Sequence, residues 1–183
     1  APGGKSTHMA QYLTSGHITA LDLYDHKLDL INQNAERQHV ADKITTQKAD
    51  ATMIFEEFGS DKFDRILVDA PCSGIGLIRR KPDIRYRKES SDFVDLQKIQ
   101  LEILNSASKS LKKSGIMVYS TCTIFDEENF DVVRQFLENH PNFEQVEISS
   151  DKADMIKEGC IFITPEMYHT DGFFIAKFKK IGE

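Results

Sequence analysis

At 183 residues the chain is long enough to bury a core without disulfides or metals, and it fits one domain. A hydrophobic share of 40% with 28% charged residues matches a soluble globular protein, and no apolar run has the length of a membrane span or the pattern of a secretory signal. A net charge of −6 argues against a broad, non-specific nucleic-acid coat. The three cysteines lack CxxC or Cys/His ligand spacing, which disfavours a disulfide framework, a zinc site or any other metal. Free thiols in a reducing compartment are expected, hence a cytoplasmic protein with no membrane partner.

In chain order, short β-type runs alternate with helical patterns, which predicts an open α/β sheet. The chain opens on "APGGKST", a glycine-rich turn, and a helix is expected from Lys5 to about Thr14. "HITALDL" predicts a strand ending at Asp22. Asp25 is expected to cap a helix that carries Leu28, Ile31 and Ala35 on one face. "ITTQKAD" predicts a strand ending at Asp50, and "FDRILVDA" a buried strand ending at Asp69. From Asp92 to about Lys113 the spacing of Leu96, Ile99, Ile103, Ala107 and Leu111 predicts a long amphipathic helix. "GIMVYST" is the next strand, and "DEENFDVVRQFLENH" a helix with acids in its first turn and Pro141 beyond it. "FEQVEI" and "GFFIAKF" predict a closing pair of strands, joined by a less regular segment over 149–170.

In a doubly wound sheet a glycine turn follows the first, usually central, strand. The chain is therefore expected to be a C-terminal fragment, truncated before its first strand. The slot so created must be filled, closed or distorted, because buried unpaired backbone groups are costly. Ligands of such sheets bind beyond the carboxyl ends of the strands, where Asp22, Asp50, Asp69 and the turn with Gly3 and Gly4 are expected to converge. Asp22, about twenty residues past the glycines, suits the ribose hydroxyls of an adenosine ligand. "GGKST" also matches the tail of a phosphate loop with "RILVDA" as its magnesium strand, so a nucleotide hydrolase is one alternative. Asp22 has no role in that scheme, whereas an adenosine ligand without a polyphosphate accounts for Asp22 and Asp50 together; S-adenosylmethionine fits better than a nicotinamide dinucleotide, because the turn lacks a full G-x-G-x-x-G.

"RILVDAPCSGIG" and "GIMVYSTCTIF" share one arrangement: an apolar run, then a polar turn with a cysteine, Cys72 or Cys122. One site with two thiols is expected, and position alone does not rank them, since thiolate character depends on neighbours. Directly after Cys72, "IRRKPDIRYRK" carries six basic residues against Asp83. Such runs commonly serve only solubility; the place of this one beside Cys72 raises the alternative of a local phosphate clamp, with Arg79, Arg80, Arg85 and Tyr86 as candidates for phosphate contacts and base stacking.

With "APGGK", "DAPCSG", "IRRKPDI", "STCT" followed by "EEN", and "DGFFIAKF" in this order, nearly the whole chain resembles the Sun/Fmu family of RNA 5-methylcytosine methyltransferases, of the bacterial 16S rRNA type. The resemblance implies a Rossmann-like S-adenosylmethionine-dependent catalytic domain over 1–183. The family's first strand and N-terminal RNA-binding domain are expected upstream of it. By motif, Ala1, Pro2, Gly3, Gly4 and Lys5 pack around the methionine portion of the cofactor. Asp22 holds the ribose, Asp50 lies near the adenine, and Asp69 faces the reacting centre. The cysteine of the "TC" motif, Cys122, is the implied nucleophile, Cys72 assists product release, and Cys160 lies outside both motifs. The chemistry needs such a pair: a thiolate on carbon 6 of cytosine makes carbon 5 nucleophilic, and a second group must help remove the carbon 5 proton. A transfer-RNA target and a non-catalytic RNA-binding module are the remaining alternatives.

Overall fold

The computed structural model describes residues 3–86 and 90–182, and of residues 85, 86 and 90–92 the backbone alone. The chain divides into two compact units, Ala1–Glu57 and Phe58–Glu183. Among the described residues no helix is long and apolar enough to cross a membrane. Nor do three or more His, Cys, Asp or Glu side chains gather there as a metal requires.

The first unit holds helix α1 (Gly4–Tyr12), strand β1 (Ile18–Asp22), helix α2 (Asp25–Arg37) and strand β2 (Ile44–Lys48). β1 and β2 run parallel, from Ile18 opposite Ile44 to Asp22 opposite Lys48. Parallel neighbours need a crossover, and α2 supplies it. Leu28, Ile31 and Ala35 bury one stripe of α2 against Ala10, Ala20, Val40 and Ile44, as the spacing predicts. The cap differs from expectation: Tyr24 occupies that position, and Asp25 sits in the first turn, where its charge suits the helix dipole. Lys43 Nζ donates to the carbonyls of Ala10 (3.2 Å) and Leu13 (2.9 Å), satisfying the end of α1.

The second unit holds strand β3 (Phe63–Asp69), helix α4 (Ser90–Ser110), strand β4 (Leu111–Thr121), helix α5 (Phe130–Asn139) and strands β5 (Phe143–Gln145), β6 (Ile156–Lys157), β7 (Cys160–Ile163) and β8 (Phe173–Lys180); the short helix α3 (Ile54–Phe58) ends at the boundary between the units. The sheet order is β3-β4-β8-β7-β6, with β5 also on β8; β3 and β4 are parallel, and β8 is antiparallel to its neighbours. Aromatic side chains fill the core: Phe136 packs on Phe143 and Phe178, and Phe130 on Phe174, with ring centroids 5.0–5.2 Å apart.

Four local expectations are corrected. Helix α4 ends at Ser110, and Leu111 already belongs to β4; buried Lys180 Nζ closes the junction by donating to the carbonyls of Ser108 (3.3 Å) and Leu111 (2.8 Å). Its buried face is also rotated, because Ile99 is 40% exposed while Gln100 is fully buried. The helix expected over 126–140 is broken: a 3-10 turn covers Asp126–Glu128, and α5 starts only at Phe130. Segment 149–170 contains the β6–β7 hairpin, whose turn residues Glu158 and Gly159 both have positive φ, as a two-residue hairpin turn requires.

Candidate active site

Strands β3 and β4 are parallel neighbours, so their carboxyl ends emerge side by side, with Asp69 opposite Ser120. The two chains stay joined past the ladder: Ser120 Oγ donates to Asp69 Oδ1 at 3.0 Å and Ala70 N to Ser120 O at 2.9 Å. This carries Cys72 and Cys122, fifty residues apart, to a sulfur–sulfur distance of 3.2 Å. The Cys122 N–H also points at Cys72 Sγ, at 3.4 Å. Both cysteines are half-buried and neither is in a disulfide. The two cysteines of the matching motifs are thus in contact, as a shared site would require.

The Cys72 thiol is pushed well above the ordinary thiol range. The first cause is its hydrogen bond with Cys122, followed by burial and by the negative charge of a Cys122 thiolate. Each thiol of the pair therefore bears on the ionisation of the other. Cys160 is separate: fully buried at the start of β7, with its thiol raised to about 11, mainly by burial.

Two glycines are demanded by geometry. Gly76 N donates to Cys122 O at 2.9 Å, and Gly172 N to Gly76 O at 2.8 Å. A Cβ on Gly76 would lie 2.3 Å from Gly172 O and 2.7 Å from Cys122 O. The glycines of "DAPCSGIG" and "DGFF" thus let the loop after Cys72 lie flat against the loop after β4. Gly3 has φ 90°, and its Cβ would meet Ile31 at 3.1 Å.

Of the two acids of the first unit, Asp22 ends its strand as expected, whereas the strand expected to end at Asp50 stops at Lys48 and Asp50 caps the 3-10 turn Ala51–Met53. Asp22 ends β1; its Oδ1 accepts from Tyr24 N at 3.1 Å and lies 3.7 Å from Lys27 Nζ. Asp50 follows β2 by two residues and accepts from Thr52 N (2.9 Å) and Thr52 Oγ1 (2.7 Å), which hold its carboxyl below the usual carboxylate range. Asp22 and Asp50 thus lie at the same end of one parallel pair, two carboxylate acceptors of the kind that suits the hydroxyl and amine donors of an adenosine group. Gly4 and Lys5 lie exposed in the first turn of α1, while Ala1 and Pro2 lie outside the described residues.

Of the basic run, Arg80 Nε pairs with Asp171 at 3.2 Å while remaining 75% exposed. Arg79 donates to Pro165 O at 3.4 Å. The backbone of Pro82–Tyr86 forms a 3-10 turn; the side chains of Arg85 and Tyr86, and residues 87–89, lie outside the described ones.

Sequence reasoning missed a buried polar group beneath the thiols: Ser73, Gln100, Thr123, Glu128 and Asn129, none more than 5% exposed. "EEN" marked two of them as a motif, but nothing in hydropathy assigned them a place.

The sequence and the architecture have counterparts among known proteins. The family model described as 16S rRNA methyltransferase RsmB/F matches residues 1–179. The chain is 43% identical to the probable ribosomal RNA small subunit methyltransferase B of Bacillus subtilis, over 100% of its own length and 42% of the relative's. It is 35% identical to ribosomal RNA small subunit methyltransferase B of Yersinia enterocolitica, over 98% and 40%. Among solved structures, NSun6 from Pyrococcus horikoshii with SFG superposes with a TM-score of 0.86 at 31% identity, over 100% of this chain and 46% of that one. A methyltransferase homolog protein from the same organism gives 0.81 at 30%, over 98% and 59%. The chain thus spans about 42% of the first of these curated relatives. With the family match extending from the glycine turn through β8, the chain belongs to the 16S rRNA methyltransferase RsmB/F family.

Proposed function

We propose that this chain is the catalytic part of an RNA methyltransferase that methylates carbon 5 of a cytosine in 16S rRNA through a covalent cysteine adduct. The observation that carries this reading is the 3.2 Å approach of Cys72 and Cys122 at the ends of two parallel strands. Transfer to an exocyclic amine or a ribose hydroxyl has no need of paired thiols. The family is S-adenosylmethionine-dependent, and its neighbour NSun6 was solved with SFG, an analogue of that cofactor.

When bound, S-adenosylmethionine supplies an electrophilic methyl group on a sulfonium. Asp22 would hold its ribose, and Asp50 would lie beside its adenine. The target base leaves its stack to enter the site. Cys122, its proton lost to solvent, adds through sulfur to carbon 6, and the ring electrons so released make carbon 5 the nucleophile. Asp69, at the end of β3, accepts from the exocyclic amine. After methyl transfer, the carbon 5 proton must be removed so that the carbon–sulfur bond can break.

Cys72 suits this last task because of what raises its pKa. Two of the three main causes, the hydrogen bond to Cys122 and its thiolate charge, disappear once Cys122 is a thioether. Burial then still raises it while the backbone N–H groups of Cys122 and Gly74 lower it, so Cys72 would give its own proton to solvent more readily and, as thiolate, take the one from carbon 5. The resting pair thereby keeps the base masked until the adduct exists.

Substrate RNA carrying tritium at carbon 5 of cytosine tests the reading. The complete protein should release one tritium to water for each methyl group transferred. Methylation with the label retained would reject carbon 5 as the target.

Arg79 and Arg80 are proposed phosphate contacts. In a plot of log affinity for 16S rRNA against log salt, replacing either by Ala is expected to flatten the slope by roughly 0.7–1. The Arg80 effect should be the smaller, because Asp171 already offsets part of its charge. An unchanged slope for both variants would reject the assignment.

A further inference from the structure

Each cysteine is held by the residues on either side of it. Pro71 O accepts from Gln100 Nε2 at 2.8 Å, and Ser73 N donates to Glu128 Oε2 at 2.8 Å. Around Cys122, Thr121 Oγ1 donates to Asn129 Oδ1 at 2.6 Å, and Asn129 Nδ2 donates to Thr123 O at 3.1 Å. Two consecutive residues therefore divide the work. Glu128 grips the Cys72 loop and Asn129 grips the Cys122 loop. A cross-tie from Ser73 Oγ to Thr123 Oγ1, 2.9 Å, joins the loops, and Gln100 Nε2 reaches Glu128 Oε2 at 3.1 Å. Tyr119 OH anchors the dipeptide itself by donating to Glu128 O at 2.7 Å.

This arrangement is expensive. Glu128, Asn129 and Gln100 are fully buried, and Glu128 Oε1 and Gln100 Oε1 have no hydrogen-bond partner there. Apolar residues of similar volume would fill the same space without stranding a carboxylate oxygen. Stability alone does not account for such a group; accurate placement of the two loops does. We propose that Glu128 and Asn129 are positioning residues that set the two thiols separately, Glu128 placing Cys72 for product release and Asn129 placing Cys122 for attack. The inference rests on the cysteine roles proposed above.

The test uses the complete protein with S-adenosylmethionine and 16S rRNA. It follows covalent adduct on denaturing gels, tritium release, cofactor affinity and thermal unfolding. Glu128→Ala should behave like Cys72→Ala: adduct accumulates and release slows roughly 10- to 100-fold, the scale expected for a misplaced catalytic group, with cofactor affinity unchanged. Glu128→Gln keeps an acceptor for the Ser73 N–H and should restore release. Asn129→Ala should instead form little adduct, again with cofactor affinity unchanged. A merely structural role would lower the folded fraction and slow attack and release together, leaving no adduct; that result overturns the proposal. If Glu128→Ala shows no cooperative unfolding, Ser73→Ala decides, since it removes only the cross-tie: partial adduct accumulation supports the clamp, and wild-type release overturns it. The Cys72→Ala control separates the two levels. Adduct in that control but not in the Glu128 variant rejects the clamp alone, whereas no adduct in either rejects the cysteine roles and the clamp with them.

Discussion

In the complete protein, Cys72→Ala is expected to accumulate a covalent complex with 16S rRNA in the presence of S-adenosylmethionine, while Cys122→Ala forms none. The contrast follows from the asymmetry of the pair. In the proposed roles Cys122 acts first, because its addition to carbon 6 is what makes carbon 5 nucleophilic. Cys72, in those same proposed roles, acts only after Cys122 has been consumed, because the hydrogen bond and the charge of Cys122 oppose loss of the neighbouring proton. Loss of a positioned acid–base group typically costs roughly 100- to 10,000-fold in the step it serves. Turnover of Cys72→Ala should fall by that order while adduct formation persists. Product release by the wild type should also rise with pH, since Cys72 must lose its proton to take another, and the residual release by Cys72→Ala should not share that dependence. The opposite pattern, with adduct in Cys122→Ala and none in Cys72→Ala, would exchange the two roles.

Replacing Gly76 by Ala should damage both stability and chemistry. The new methyl group would sit 2.3 Å from Gly172 O and 2.7 Å from Cys122 O, and both obstacles are backbone atoms that no rotamer change can move aside. Accommodation requires the loop after Cys72 to separate from the Cys122 carbonyl, breaking the Gly76 N to Cys122 O bond. Overpacking of this kind costs about 1–3 kcal/mol, which for a chain of this size lowers Tm by about 2–12 °C. A displacement of about 1 Å in the thiol pair would add a loss of activity of roughly 100-fold. A thermal scan and the tritium assay measure both. An unchanged Tm with full release would mean that the loops are not locked through this glycine.

The structure also explains why a broken helix precedes α5. Continuous helix through residues 126–140 would satisfy the local pattern of acids followed by apolar spacing. Instead, the buried side chains of Glu128 and Asn129 each bond to one cysteine loop, and regular helix resumes only at Phe130. Gln100 tells the same story on α4. Hydropathy favours Ile99 for the buried face, but the amide at position 100 has Pro71 O and Glu128 to satisfy, so the polar residue is inside and Ile99 is 40% exposed. Hydrophobic periodicity assumes that what is buried is apolar, and it fails wherever a buried group is there to bond rather than to fill.

The residues alone determined the α/β alternation, the buried stripe of α2, the strand ends at Asp22 and Asp69, and the expectation that two matching cysteine motifs meet. These are local properties: side-chain period, turn composition, and a polar residue closing an apolar run. Tertiary structure decided what joins distant segments. It made β3 and β4 parallel neighbours and so brought Cys72 within 3.2 Å of Cys122. It also folded the segment after β5 into a hairpin and filled the space beneath the thiols with hydrogen-bonded polar side chains. Strand order and loop closure depend on contacts between residues tens of positions apart, which no local pattern encodes.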